Sequence, residues 1–185
     1  MHAVRAEALV YIPAAQSPHK LESPPTEAKH RLAMVRLMVK DMPFATVLTD
    51  EIDRFAASGG QPSYTIDTLT QLRKKLGPQV KMRLLIGTDQ LKSFDRWREY
   101  ERIIELAEPV VMMRPPQTRE SILAELPSGL KAKDWAGRFV ETPVMDVSAT
   151  MIRQRVAAGQ SIAEYVTPEV AAYIRENGLY RTKTC

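Results

Sequence analysis

The chain has 185 residues, 44% hydrophobic and 26% charged, a composition typical of one ordinary soluble domain. Its 26 basic and 22 acidic residues leave a net charge of +4, which suits an anionic small molecule and is too mild to indicate nucleic-acid binding. Cys185 is the sole cysteine, and no apolar run is of membrane-spanning or signal-peptide type, so we expect a cytoplasmic protein without disulfides or a cysteine metal site.

The first part of the chain alternates apolar runs with helical patterns. Residues 8–12 form an apolar run stopped by Pro13, which predicts a strand followed by a loop over residues 14–25. Thr26 can cap a helix over residues 27–41, and residues 45–49 predict a second strand. The next twelve residues are polar and contain glycine, and no helix or strand is predicted there. A helix then opens at Pro62, with an apolar stripe from Ile66 to Leu76, and Gly77 ends it.

A strand, helix and strand follow, the pattern of a parallel βαβ unit. Residues 84–86 and 110–113 are short apolar runs, and apolar residues recur between them at roughly helical spacing, from Leu91 to Leu106. Ligands of open α/β sheets bind at the carboxyl ends of the strands, and Gly87-Thr88-Asp89 is such an end. Asp89 can accept hydrogen bonds from two vicinal hydroxyls of a sugar, or it can simply cap the next helix.

The remainder continues the alternation. It predicts a helix over residues 118–126, a break at 127–129, a polar loop at 131–136 and an extended segment at 138–147. Ser148 starts a helix that runs to about residue 158, and Thr167 caps a last helix that ends at Asn177-Gly178. We therefore predict an α/β fold with a mostly parallel sheet in a single domain over residues 1–185.

The start of the Ser148 helix is a candidate anion site. Ser148 and Thr150 offer hydroxyls beside unpaired backbone N–H groups, and Arg153 lies about a turn and a half further on. The alternative is that Ser148 is only a helix cap and Arg153 a surface residue.

Other polar and aromatic residues are less specific when taken singly. Tyr64 and Thr65 open a helix and could face a ligand, although a helix cap with a packed tyrosine is the simpler interpretation. Trp97 could stack on a ring, but a lone tryptophan more often belongs to the core. His19 and Lys20 could donate to a ligand above a strand end, or they could lie in a solvated loop.

Taken in order, these motifs resemble the bacterial nicotinate mononucleotide adenylyltransferases of NAD biosynthesis over nearly the whole chain. The resemblance is carried by Pro18-His19-Lys20, Pro62-Ser63-Tyr64-Thr65 with Thr68-Leu69, Ile86-Gly87-Thr88-Asp89, Phe94, Trp97, Arg114-Pro115, Ser148-Ala149-Thr150, Arg153 and the ending from Tyr173 to Tyr180. It implies a Rossmann-like nucleotidyltransferase fold with helices on both faces of the sheet. It also implies adenylyl transfer from ATP to nicotinate mononucleotide, with Mg²⁺, giving deamido-NAD and pyrophosphate.

The resemblance assigns roles to matching residues. Gly87 and Asp89 would hold the adenosine ribose. Ser148, Thr150 and Arg153 would hold the ATP phosphates, assisted by His19 and Lys20. Tyr64, Thr65, Trp97 and Arg98 would hold the nicotinate nucleotide, with Trp97 stacked on the pyridine ring.

The chain departs from the family at its start, where the family has a strand and a His-x-Gly-His turn. His2, His19 and His30 are the only histidines, and no pair has that spacing. We therefore expect an N-terminally incomplete domain without its first strand, with impaired activity and no assigned catalytic residue. The alternatives are a non-catalytic nucleotide-binding relative and an adenylyltransferase for another phosphate acceptor. We expect no nucleic-acid or membrane partner, and the sequence is compatible with a homo-oligomer.

Overall fold

The computed structural model describes residues 6–15, 26–131, 133–135, 137–143 and 147–181. Its strands are β1 (Leu9–Tyr11), β2 (Ala45–Val47), β3 (Arg83–Gly87), β4 (Glu108–Met113) and β5 (Phe139–Glu141). The strands predicted near β1 to β4 are confirmed. The long extended segment predicted at 138–147 supplies only β5, and its residues 144–146 lie outside the described part of the chain.

The strands pair in parallel but form two separate sheets. β1 pairs with β2, with Leu9 opposite Ala45. The order of the second sheet is β3-β4-β5, with Leu85 opposite Val110 and Val111 opposite Phe139. The prediction of an α/β fold with parallel strands is confirmed. The expected single sheet is replaced by two sheets, with β1 and β3 each bonded to one neighbouring strand in the described part.

The helices alternate with these strands. They are α1 (Ala28–Val39), α2 (Asp50–Ala57), α3 (Thr65–Leu76), α4 (Thr88–Leu91), α5 (Tyr100–Leu106), α6 (Arg119–Ala124), α7 (Ser128–Lys131), α8 (Ala149–Ala157) and α9 (Pro168–Glu176), with a 3₁₀ turn at Phe94–Arg96. The helices predicted at α1, α3, α6, α8 and α9 are confirmed within a few residues of each end. Within the described residues, no helix is both long and apolar enough to cross a membrane.

The sequence predicts no helix or strand between residues 50 and 61, but the structure has helix α2 there. Asp50, Glu51 and Asp53 lie in its first turn, where the helix dipole favours negative charge. Gly59 and Gly60 follow with positive φ angles of 67° and 94°, which end the helix. The carboxylates that made the segment look like a polar loop therefore stabilise a helix start.

The single helix predicted between β3 and β4 is also wrong. It is divided into α4, the 3₁₀ turn and α5, because the backbone is extended at Trp97 and left-handed at Glu99, where φ is 53°. The helix breaks leave the apolar residues on one side, so their spacing imitates a continuous helix. The predicted break at residues 127–129 contains the start of the short helix α7.

Two hydrophobic clusters form the core. The larger surrounds the β3-β4-β5 sheet and includes Phe94, Val111 and Trp135, all nearly inaccessible. The smaller joins α8 and α9 to α1 through residues such as Ile152 and Ile174. Neither strand of the β1-β2 sheet has a buried side chain among its residues.

Candidate active site

The carboxyl end of β3 turns directly into α4. Gly87 is the N-cap of that helix, and no side chain provides a cap hydrogen bond. Thr88 is buried, and its hydroxyl donates to Oε1 of Gln117 at 2.8 Å. Asp89 is exposed in the first turn, so the alternative in which it caps the helix does not hold.

Gly87 and Asp89 are in close contact. A Cβ atom added at Gly87 would lie 2.5 Å from Oδ1 of Asp89, so this arrangement of the carboxylate requires glycine. The carboxylate makes one hydrogen bond among the described residues, which it accepts at 3.3 Å from the amide of Gln90. An exposed carboxylate beside bare backbone is able to accept hydrogen bonds from two neighbouring hydroxyl groups.

Tyr64 and Arg98 come together at the start of α3. Tyr64 is the N-cap of α3, and the Arg98 guanidinium lies over its ring at 5.0 Å from the centroid. Thr65 is the first residue of α3 and is half-buried. Two of the residues predicted for the acceptor nucleotide are therefore in direct contact.

Trp97 is adjacent to this pair and belongs partly to the core. It is half-buried, and its ring packs on Phe94 with centroids 5.1 Å apart and a tilt of 50°. Its Nε1 is buried and has no hydrogen-bond partner in the described part of the chain. The ring therefore contributes to the core and has an unused donor.

The start of α8 combines a cap with two exposed polar side chains. The Ser148 hydroxyl accepts from the Met151 N–H at 3.1 Å, so the cap interpretation is confirmed. The guanidinium of Arg153 donates to the Thr150 hydroxyl at 3.1 Å, and both residues are exposed. No hydrogen bond or ion pair between described residues joins this group to Asp89.

His19 and Lys20 lie outside the described residues, but the carbonyl groups on either side of residues 16–25 share one partner. Arg31 donates from Nη2 to the Ala15 carbonyl at 2.6 Å and from Nε to the Thr26 carbonyl at 2.9 Å. Burial lowers the pKa of Arg31. Sequence analysis missed this arginine, although a cation on the half-buried face of α1 is the kind of residue that needs a partner.

Thr68, one of the residues that carry the resemblance, belongs to a buried polar group between α2 and α3, and the sequence predicted no role for it. Thr68 is 5% exposed and forms hydrogen bonds with Glu51 and Arg54 of α2. Burial raises the pKa of Glu51, opposed by the hydrogen bond from Thr68 and the charge of Arg54. The only sequence signal was a threonine inside the apolar stripe of α3.

The described residues contain no group of three or more His, Cys, Asp or Glu side chains able to hold a metal ion. A Mg²⁺ ion held mainly by the phosphates of a substrate needs no such group of protein ligands.

Parallel strands alternating with helices define an α/β protein, and its candidate ligand site is the polar turn at the carboxyl end of β3. The model of the cytidylyltransferase-like family matches residues 2–155. A relative from Roseiflexus sp. (strain RS-1) is 41% identical over 181 residues, which cover 97% of this chain and 85% of the relative. A relative from Stenotrophomonas maltophilia (strain K279a) is 35% identical over 187 residues, which cover 94% of this chain and 83% of the relative. Both are described as probable nicotinate-nucleotide adenylyltransferases. The chain belongs to the nicotinate-nucleotide adenylyltransferase family, as the resemblance of its motifs predicted.

Solved structures share the fold. The nicotinic acid mononucleotide adenylyltransferase of Plasmodium falciparum, complexed with APC, has a TM-score of 0.65 to this chain at 18% identity. The structure of the same enzyme complexed with NaAD has a TM-score of 0.66 to this chain. In both comparisons 94% of this chain and 82% of the other are covered. At this identity the likeness establishes the Rossmann-like architecture alone.

Proposed function

We propose that this chain transfers the adenylyl group of ATP to nicotinate mononucleotide, giving deamido-NAD and pyrophosphate in NAD biosynthesis. The observation that carries the proposal is the identity of 33% to 41% with nicotinate-nucleotide adenylyltransferases over more than nine-tenths of the chain. We also propose that residues 1–185 act as a single domain. The cytoplasmic location and the oligomeric state stay predictions from the sequence.

The turn after β3 is the proposed site of the adenosine ribose. The exposed carboxylate of Asp89 can accept from both ribose hydroxyls, because among the described residues it is engaged by Gln90 alone. Because Gly87 has no side chain, the Asp89 carboxylate can lie against its backbone, where an added Cβ would be 2.5 Å from Oδ1.

The start of α8 is the proposed site of the ATP phosphates. Its first N–H groups and its dipole attract an anion, and the exposed Arg153 can bind phosphate bidentately once its bond to Thr150 is exchanged. The Ser148 hydroxyl caps the helix by accepting from the Met151 N–H, and we propose that the N–H groups of Ala149 and Thr150 donate to the phosphates. His19 and Lys20 remain predicted assistants.

The acceptor nucleotide is proposed to bind between the start of α3 and Trp97. The Arg98 cation over the Tyr64 ring supplies positive charge for a carboxylate, and the N–H groups near Thr65 supply donors. The Trp97 ring, half-exposed beside this pair, offers a face to the pyridine ring.

The reaction needs no covalent enzyme intermediate. A phosphate oxygen of nicotinate mononucleotide forms a bond to the α-phosphorus of ATP, and the bond from that phosphorus to the bridging oxygen breaks. Pyrophosphate leaves with the electron pair of that bond. The protein therefore contributes positioning and stabilisation of charge around the α-phosphate. Mg²⁺ bound with ATP would neutralise charge on the phosphates.

A non-catalytic nucleotide-binding protein is the second candidate. It is favoured by the histidine content, because no pair among His2, His19 and His30 has the His-x-Gly-His spacing of the family. Both candidates keep the ribose and phosphate sites, and they differ in turnover.

Pyrophosphate release separates these functions. The chain is incubated with ATP and Mg²⁺ together with nicotinate mononucleotide, nicotinamide mononucleotide or phosphopantetheine. Release with nicotinate mononucleotide above the other two is expected. Release with phosphopantetheine alone would assign another acceptor, and ATP binding without any release would favour the non-catalytic candidate.

A further inference from the structure

A buried hydroxyl ties α2 to α3. Thr68 donates its hydroxyl hydrogen to Oε1 of Glu51 at 3.0 Å and accepts a hydrogen bond from Nη2 of Arg54. Arg54 also donates from Nη1 to Oε1 of Gln71 at 2.6 Å. We call Glu51, Arg54 and Thr68 the α2–α3 network. In it, the acidic Glu51 and the cationic Arg54 both form hydrogen bonds with the hydroxyl of Thr68, a residue that is 5% exposed.

The α2–α3 network reaches the first turn of α3 through the backbone. The N–H groups of Asp67 and Thr68 donate to the Tyr64 carbonyl at 3.1 and 3.3 Å. The Ser63 hydroxyl donates to the Glu51 carbonyl at 3.5 Å. Tyr64 is therefore connected to α2 in two ways. Ser63, the residue before it, bonds to Glu51 directly, and Thr68, whose N–H bonds to the Tyr64 carbonyl, bonds to Glu51 through its side chain.

The α2–α3 network costs more free energy of burial than two helices need for packing alone. Burying charged groups is expensive, and apolar residues would pack two helices at least as stably. A polar network fixes one geometry, because its hydrogen bonds are lost when the helices slide. The geometry fixed here is the position of Tyr64, whose ring carries Arg98 at 5.0 Å.

We propose that the α2–α3 network positions the acceptor site, holding the first turn of α3 so that Tyr64 and Arg98 meet the nicotinate end of the acceptor. The inference rests on the proposed function. Its members act through Tyr64 and do not touch the substrates, so they are positioning residues that set specificity for the acceptor and leave ATP binding alone.

The test compares two substitutions at Thr68. Thr68→Val keeps the shape of the side chain and removes the hydroxyl, whereas Thr68→Ser keeps the hydroxyl. Equilibrium binding of nicotinate mononucleotide and of ATP is measured by calorimetry on each folded variant. Thr68→Val should weaken nicotinate mononucleotide binding about 10-fold and leave ATP binding within about 2-fold, and Thr68→Ser should restore acceptor binding.

A matched control lies at the other end of α3. Arg73 donates to the carbonyls of Gly77, Val80 and Leu106, so Arg73→Lys loosens the same helix away from Tyr64. It should lower the melting temperature without changing the ratio of the two dissociation constants. Hydrogen exchange supplies a second measurement, in which the Asp67 amide, whose N–H donates to the Tyr64 carbonyl, should exchange at least about 10-fold faster in Thr68→Val.

Each outcome decides a separate point. Equal loss of ATP and acceptor binding, or an unchanged ratio in Thr68→Val, would overturn the positioning role. If the wild-type chain binds ATP but no nicotinate mononucleotide, the proposed function fails. In that case the exchange rate of the Asp67 amide still decides whether the network orders this turn.

Discussion

The exposed carboxylate of Asp89 can be tested without disturbing the fold. Its one hydrogen bond among described residues is to Gln90, and the cap of α4 is Gly87. Asp89→Asn should therefore change the free energy of unfolding by no more than about 0.5 kcal/mol. ATP binding should weaken about 10- to 100-fold, because an amide oxygen replaces only part of a charged acceptor for two hydroxyls.

Calorimetric titration with ATP and a thermal melt measure the two effects. Asp41→Asn is the control, since Asp41 is an exposed carboxylate after α1 whose one ion pair, to Lys40, is 3.9 Å long. A large fall in melting temperature with unchanged ATP affinity per folded molecule would give Asp89 a structural role.

Trp97 combines core packing with the proposed stacking role. Its contact with Phe94 predicts a loss of stability in Trp97→Ala, of about 3 kcal/mol or less because the ring is only half-buried. The KM for nicotinate mononucleotide should rise much more than the KM for ATP, because stacking serves the acceptor alone. Trp97→Phe should recover most of both losses.

Steady-state kinetics with each substrate varied in turn separates the two KM values. Trp135→Phe controls for the loss of a core indole, since Trp135 is 2% exposed and donates its Nε1 hydrogen to the Leu130 carbonyl. It should lower the melting temperature and leave the KM ratio unchanged. Equal effects of Trp97→Ala on both KM values would remove Trp97 from the acceptor site.

Helix α8 allows capping to be separated from phosphate binding. Ser148→Ala removes the hydroxyl that accepts from Met151 and should cost about 1 kcal/mol of stability. Ser148→Asp keeps a cap and adds negative charge where the phosphates are expected. We predict that it preserves the melting temperature and weakens ATP binding more than Ser148→Ala does. The opposite order of ATP affinities would move the phosphate site away from α8.

Helix α2 gives the chain a pH dependence through Glu51. Burial raises its pKa above the usual 4.5, so the folded state holds this proton more tightly than the unfolded state. Stability should therefore fall as the pH rises from about 4.5 through the raised pKa, and the loss is complete above it. Glu51→Gln removes the titratable carboxyl group, so its stability should fall less than that of the wild type over the same pH range.

Thermal melts of the wild type and Glu51→Gln between about pH 4 and pH 8 measure this difference. Asp53→Asn is the control, because Asp53 is an exposed carboxylate of the same helix. Stability curves of wild type and Glu51→Gln that stay parallel would show that Glu51 titrates normally.

The elements that sequence analysis predicts well are those fixed by local chemistry. The capped start of α9 at Thr167-Pro168 and the Gly77 end of α3 are encoded within a few neighbouring residues. Helix α2 and the division at Trp97 escape prediction. The first is stabilised by carboxylates that also suit a loop, and the second by a left-handed Glu99 that has no sequence signal.

The candidate site shows the same division. Gly87, Asp89 and Ser148 stand at strand ends and helix starts, so their neighbourhoods are predictable from the order of elements. The contact of Arg98 with Tyr64 and that of Thr68 with α2 depend on how separate helices pack, which periodicity does not encode.

The strands of the described residues form two parallel sheets, and β1 and β3 are edge strands in them. Among described residues, β1 bonds to β2 and β3 bonds to β4, and neither has a strand on its other side. Val10 of β1 and Leu85 of β3 are 40% and 37% exposed, whereas strands of doubly wound sheets bury such side chains. Asp89, Ser148 and Arg153, which are proposed to hold the ribose and the phosphates, lie outside β1 and β2. We therefore expect ATP binding to depend less on those two strands than on β3 and α8.

Turnover should suffer more than ATP affinity in this chain of 185 residues. Asp89 and the start of α8 are present, but no His-x-Gly-His pair supplies charge at the α-phosphate. If each histidine acts as an oxyanion-type donor does, its absence lowers turnover by about 10²–10³. The dissociation constant for ATP should stay within about 10-fold of that of the Stenotrophomonas maltophilia relative, because most charge-assisted contacts are retained.

An engineered fusion tests whether the strand edges and the histidines limit the reaction. A β-strand followed by a His-x-Gly-His turn is joined ahead of Met1, and the same fusion with both histidines changed to alanine is the control. The histidine fusion should raise pyrophosphate release at least about 10²-fold over the alanine fusion, while both melt at a higher temperature than the unfused chain because the added strand extends a sheet. If the unfused chain already turns over as fast as the relative, the phosphate chemistry belongs to His19 or Lys20, and His19→Ala and Lys20→Ala would then identify which of them carries it.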